Sequence, residues 1–214
     1  IEEARSEHSQ LKGTLRITTT VEFALAQVVP ALEVFRQQQP QLNIHLSTSS
    51  THADLISERF DLAIRLGRMH DSNLRAVQLS TFEVFAVAAP ALVEQFAPVS
   101  TLAVLESMPT LGHGRVPEMT VTDPAGSEHF YQPKPGTTAI VADNSATLRA
   151  FALTGQGVAI LPQWLIQEDL DAGRLQRLLA DYRFAQQGVY ALYPDTRHLP
   201  LKVRAFIDFM KGWG

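Results

Sequence analysis

Cysteine is absent from the 214 residues, which removes disulfides, thiolate metal sites and cysteine nucleophiles from consideration. The absence fits the cytoplasm. Positive charge is also scarce. The chain has 18 lysines and arginines against 22 acids, a formal net charge of −4, so it offers little to a nucleic-acid backbone by itself. No apolar run reaches the roughly 18 residues that a membrane span needs. The opening IEEARSEHSQLKG is polar and helix-prone rather than a basic-then-apolar leader. A mature protein already stripped of its leader would start the same way. The G-x-S-x-G elbow, the Walker loop and the G-x-G-x-x-G fingerprint are all missing. The 7 histidines are scattered, without H-x-x-x-H or comparable metal spacing.

What remains is an ordinary globular composition, 45% apolar and 19% charged, with length for one or two domains. GTLRITTT reads as a strand over Leu15 to Thr20. Leu25, Val28, Leu32 and Phe35 then recur at helical spacing, and Pro40 closes that stretch. Pro30 falls inside the pattern, where it either begins a fresh turn or kinks the helix. LNIHLST (42 to 48), HADLISERF and DLAIRLG (61 to 67) continue as strand, short helix and strand. This alternation predicts parallel strands joined by right-handed crossovers. VFAVAA, GVAILP and VYALYP are unbroken apolar runs, the pattern of strands covered on both faces. The class is α/β.

Between about residues 90 and 186 a second unit is inserted. PALVEQF and TLAVLE read as helices, and MPTLGHG and TTAIVAD contain strands, with GHG taken as a flexible turn. NSATLRAFALTG reads as a helix that Asn144 or Ser145 caps and Gly155 ends. DPAGSEHFYQPKPG reads as a hairpin or loop despite its Asp123, Glu128 and His129. A last helix starts at Pro200 and buries Val203, Phe206, Met210 and Trp213.

Ligands of parallel α/β sheets gather outside the carboxyl ends of strands, against helix N-termini. Three places qualify: Thr18 to Thr20, Thr48 to Thr51, and Asn144 with Ser145. Arg65 ends the third strand, where it either forks a carboxylate or holds a structural ion pair. Hydroxyls before helices ordinarily just cap them, but two such clusters at two strand ends favour binding. No base–nucleophile pair assembles from these residues, so binding without chemistry is the better reading.

In order, GTLRI, VVPALEVFRQQQPQLNIHL, DLISERFDLAIRLGRMHDSNL, VFAVAAPALV, GQGVAILP, GRLQRLL, GVYALYP and LPLKVRAFIDFM resemble the effector-binding domain of LysR-type transcriptional regulators. The resemblance runs over residues 13 to 212. It implies a type 2 periplasmic-binding-protein fold, two Rossmann-like α/β lobes with a ligand cleft between them. Lobe I would be 13–88 plus 188–214 and lobe II 89–187, with crossovers near Ala88 to Pro90 and Gln186 to Gly188. Residues 1–12 would be the end of a linker helix. The effector site would comprise Thr19, Thr20, Thr48, Ser49, Arg65, Gly67, Asn144 and Ser145. The family's first-strand end often runs Ala-Pro or Ser-x-x-Ser; TTTVE departs from both and brings in Glu22.

The resemblance further implies a cytoplasmic homodimer or tetramer that takes a small carboxylate or polyol. It would contact DNA only through an N-terminal winged helix-turn-helix absent from this chain, and would have no membrane partner, cofactor, metal or catalytic residue. The alternative is the periplasmic solute-binding protein of a transporter, with an enzyme on the same fold as a further rival.

Overall fold

The computed structural model describes residues 10–49, 59–67, 74–114 and 119–213. The chain divides into two compact units, one from Ile1–Thr81 with Gly188–Gly214 and the other from Phe82–Gln187. The first break therefore precedes the expected one at residue 88. The reason is pairing. Val84–Ala88 is the central strand of a sheet of the second unit, antiparallel to strands on both sides. Residues 52–58 of the expected helix over HADLISERF and most of the expected linker helix lie outside the described residues, and Arg59 and Phe60 are not helical. Gln10, Leu11 and Lys12 are not helical.

The first unit opens with β1 (Gly13–Thr19), followed by helix α1 in three consecutive pieces, Val21–Phe23, Ala24–Val28 and Val29–Gln38. Strands β2 (Leu42–Thr48), β3 (Leu62–Leu66) and β4 (Leu74–Phe82) come next. The second unit carries β5 (Val84–Ala88), α2 (Pro90–Phe96), α3 (Leu102–Ser107), β6 (Thr110–His113), β7 (Met119–Thr122), β8 (Glu128–Tyr131) and β9 (Thr138–Ala142). It continues with α4 (Ser145–Leu153), β10 (Ala159–Pro162), α5 (Gln163–Asp171), β11 (Gln176–Arg177) and β12 (Arg183–Phe184). The chain returns to the first unit as β13 (Gln187–Pro194) and ends in α6 (Leu201–Lys211).

The first unit's sheet has the order β2-β1-β3-β13-β4. β2 and β3 flank β1 in parallel, with Thr19 opposite Thr48 and Thr18 opposite Ala63. β13 runs antiparallel to β3 and sets Tyr190 opposite Arg65. Leu15, Ile17, Leu42, Leu62 and Ile64 are wholly buried, each contributing about 1.5–3 kcal/mol relative to exposure. α1 and α6 pack through Phe35, whose ring centroid lies 5.3 Å from Phe206 and 5.1 Å from Phe209. Trp213 is only half-buried and stacks on Phe209.

The apolar stripe of α1 differs from the expected one. Ala24, Val28, Ala31, Leu32 and Phe35 are buried, whereas Leu25 is 68% exposed. Ala24–Val28 is π-helical, with the Val29 N–H bonded to the Ala24 carbonyl. Pro30 has no N–H for the carbonyl of Ala26, so an α-type ladder cannot close there. The wider turn rotates Leu25 off the buried face, and Pro30 stands at the start of a fresh α-helical piece.

The second unit holds sheets β10-β5-β11 and β12-β7-β8 and the parallel pair β6-β9. Val84, Ala86 and Ala88 of β5 face one apolar cluster, and Phe85 and Val87 face another. β5 is thus buried on both faces, as its unbroken apolar run implies. His113, expected in a flexible turn, is instead on β6 opposite Ala142. β7 and β8 form the expected hairpin. Its turn is closed by Asp123, whose Oδ1 accepts from the N–H groups of Ala125 and Ser127.

Candidate functional site

In the first unit the carboxyl ends of three parallel strands come together. The Ser49 N–H donates to the Thr19 carbonyl at 2.9 Å, carrying the β1–β2 ladder one residue past Thr48. Thr19, Thr20, Thr48 and Ser49 therefore form one edge, and β3 adds Arg65 and Gly67 beside it. Gly67 has φ +87°, a conformation that suits glycine. Its N–H donates to the Gly188 carbonyl at 2.9 Å, joining the end of β3 to the start of β13.

The threonines differ in role. Thr20 caps α1, its Oγ1 accepting from the Phe23 N–H at 3.4 Å. Thr18 and Thr19 are wholly buried, and among the described residues neither Oγ1 has a hydrogen-bond partner. Buried hydroxyls are normally satisfied, so two adjacent exceptions at a strand end call for an explanation. Thr48 is exposed and Ser49 half-buried. Glu22, in the first turn of α1, is 8% exposed, so a carboxylate already occupies the helix terminus that would favour an anion. Arg65 is 6% exposed, and its Nη1 donates to the Ile64 carbonyl at 3.2 Å.

Asn144 and Ser145 belong to the second unit. Asn144, rather than Ser145, caps α4. Its Oδ1 accepts from the Thr147 N–H at 2.9 Å and from the Thr147 hydroxyl at 3.3 Å. Gly155, at φ +76°, follows the helix end. α4 is tied to α5 by an ion network. Wholly buried Asp169 accepts from Arg149 Nε at 2.5 Å and Nη2 at 3.0 Å, and from Arg174 Nε at 2.9 Å. Burial alone would push the Asp169 carboxyl up, but the two guanidinium groups together hold it below the usual carboxylate range. The network fixes the helix whose N-terminus presents Asn144 and Ser145.

Two features of the edge escaped the sequence reading. Thr18 was noted only as part of a triplet, yet it is the threonine that shares a sheet face with Arg65. Gly188 and Tyr190 were read only as part of an apolar strand. The period-two alternation in GVYALYP was the available signal, because it places Gly188, Tyr190 and Leu192 on one face.

The profile of the LysR substrate binding domain matches residues 8–214. The chain is 32% identical over 212 residues to the HTH-type transcriptional regulator PtxR of Pseudomonas aeruginosa, covering 99% of this chain and 67% of that protein. The solved structure of CrgA, a LysR-type transcriptional regulator from Neisseria meningitidis, is similar with a TM-score of 0.77 and 26% identity, over 98% of this chain and 71% of that one. The regulatory domain of AphB from Vibrio vulnificus is similar with a TM-score of 0.72 and 26% identity, over 94% of this chain and all of that one. The chain thus spans about two thirds of the length of the curated relative it matches.

Proposed function

The chain belongs to the LysR substrate-binding domain family, and on that premise we propose that Thr19, Thr20, Thr48, Ser49, Arg65 and Gly67 contact a small-molecule effector. We further propose effector contacts at Asn144 and Ser145, at the start of α4 in the second unit. The fold is that of LysR regulatory domains, with the type 2 periplasmic-binding-protein architecture. The domain is the effector-sensing part of a transcriptional regulator, and the transport alternative has no support in the matched family or these relatives.

One observation carries the assignment of the site: the buried, partnerless hydroxyls of Thr18 and Thr19 at the carboxyl end of β1. Leaving such groups unsatisfied costs about 1–3 kcal/mol each, a cost that ligand binding would recover. With Glu22 at the helix terminus, an anionic ligand group is directed to Arg65. The ligand is bound and released unchanged, and its occupancy biases DNA binding by a helix-turn-helix segment elsewhere in the full regulator, in the cytoplasm. A coupling of about 1–3 kcal/mol is enough for such control. The regulator works as a homodimer or tetramer. Val21, Leu25 and Val29 support this, since they project from α1 at 47%, 68% and 46% exposure and form an apolar stripe suited to a self-complementary contact.

A thermal-shift screen of carboxylates and polyols tests the site, because saturation near 100 times Kd adds about 2.7 kcal/mol. Thr19→Val keeps the shape and removes the partnerless hydroxyl. It is expected to melt at or above wild type without ligand and to lose much of the shift that the screen's hits produce. Exposed Thr48→Ala is expected to weaken the hits at unchanged ligand-free stability. Arg65 is too buried for its alanine variant to serve as a neutral control. Unaltered affinity in both threonine variants would move the site elsewhere.

A further inference from the structure

In the second unit β11 stands at the edge of the sheet β10-β5-β11 and pairs only with β5. Gln176 lies opposite Ala88 and Arg177 opposite Val87, and the Leu178 N–H donates to the Ala86 carbonyl at 2.8 Å. Residues of an antiparallel ladder alternate between hydrogen-bonded and non-hydrogen-bonded pairs. Gln176 and Leu178 therefore direct their backbone groups to β5, and the N–H and carbonyl of Arg177 point away from the sheet. Among the described residues nothing bonds to either of them. An open strand edge is a template for a further strand.

Beside this edge runs a groove of about 550 Å³. Leu178 and Leu179 line it with Val93 and Val99 on one face of the sheet, and Leu175 lines it with Leu170 on the other. Both flanks are apolar, whereas Gln176 and Arg177 between them are exposed. The Arg177 side chain stands on the face of Val87, its direct partner, and its Cζ lies 3.7 Å from the centroid of the Phe85 ring. Apart from that ring contact the guanidinium makes no hydrogen bond or ion pair among the described residues. The middle of the groove thus combines one cation without an acid and one residue's worth of open backbone.

We propose that the β11 edge docks an extended acidic segment of a partner protein, which joins the sheet as a fourth strand. Main-chain pairing with Arg177 supplies the attachment, and register dictates the sequence of the segment. The residue paired with Arg177 projects to the face of Val87 and Phe85, beside the guanidinium, and is an acid. The residues before and after it project to the face of Leu178, Val93 and Val99 and are apolar, with β-branched types favoured. Charge selects this occupant over a second copy of the same edge, which would set arginine against arginine across the new pair. The docking surface lies wholly within the second unit and is independent of the effector site.

The probe is a capped Thr-Val-Glu-Val-Thr peptide, titrated into the isotope-labelled chain and followed by amide chemical shifts. Saturable shifts at Gln176, Arg177 and Leu178 are expected, with slower hydrogen exchange at the Arg177 amide. Changing the peptide's glutamate to lysine is expected to weaken binding about threefold to tenfold. N-methylating the glutamate amide removes the donor for the Arg177 carbonyl and is expected to weaken it by about the same factor. Arg177→Gln is expected to bind the two charged peptides alike, and Arg177→Glu to prefer the lysine peptide. A glutamate preference that survives both variants, or an N-methylated peptide that binds as well as its parent, would overturn strand addition. Equal shifts with octanoate alone would give the groove to small apolar acids and overturn the peptide. A lower oligomeric state of Arg177→Glu in sedimentation would place a second copy on the edge and overturn the partner segment. Absence of any saturable shift would overturn the site.

Discussion

Replacing Asp169 by asparagine keeps the side chain's shape and removes its charge, so it isolates what the Arg149–Asp169–Arg174 network contributes. The carboxylate is wholly buried and meets Arg149 at 2.5 Å and Arg174 at 2.8 Å, while the two arginine side chains are 32% and 52% exposed. Breaking a buried pair costs about 3–5 kcal/mol, whereas exposed pairs contribute about 0–1 kcal/mol. Here the acid is dry and the bases are wet. The freed guanidinium groups can rehydrate, and the expected loss falls between these limits, about 2–3 kcal/mol. Urea unfolding at pH 7 is expected to show a lower midpoint at an unchanged slope. The melting temperature is expected to drop by roughly 4–12 °C.

The pH dependence supplies the stricter check. Asp169 is held below its ordinary range in the fold. Its contribution is therefore complete above the unfolded-state value of about 3.9 and disappears as pH falls through the lower folded-state value. The gap between wild type and variant is expected to be full at pH 7 and to close in acid below about pH 4. A loss under about 1 kcal/mol at pH 7, or a gap that persists undiminished at the acid end, would refute the electrostatic account.

Asn144→Ala is expected to cost about 0.5–2 kcal/mol through loss of the α4 cap. Asn144→Ser retains the cap, so any effector binding lost in that variant, measured by thermal shift, reports on the amide's contact with ligand. Leu25→Glu lies on the exposed face of α1 and is expected to change the stability of the isolated domain by less than about 0.5 kcal/mol. Sedimentation is expected to show that it lowers the oligomeric state, and an unchanged state would remove the Val21–Leu25–Val29 stripe from the interface.

Period and punctuation made much of this fold legible in advance. Helical spacing marked Val203, Phe206 and Met210 as buried, an unbroken apolar run marked β5 as covered on both faces, and a capping residue with a downstream glycine marked α4. These signals are local, because each comes from a few neighbouring residues obeying the geometry of one element. The α1 stripe failed for a local reason of a different kind. Pro30 removes one donor, the helix answers with a π turn, and a pattern counted at 3.6 residues per turn assigns Leu25 to the wrong face. The unit boundary was misplaced because Val84–Ala88 reads the same whichever sheet it joins.

Sequence alone determined which residue types end the strands: threonines and a serine after β1 and β2, an arginine and a glycine on β3. Only the tertiary structure decided which of them share a sheet face. Strand register puts Thr18 with Arg65 and Tyr190 and turns Thr19 the other way, and a missing side chain at Gly188 lets the phenol lie flat along β13. Register and close approach arise between segments far apart in the chain, where no local spacing records them.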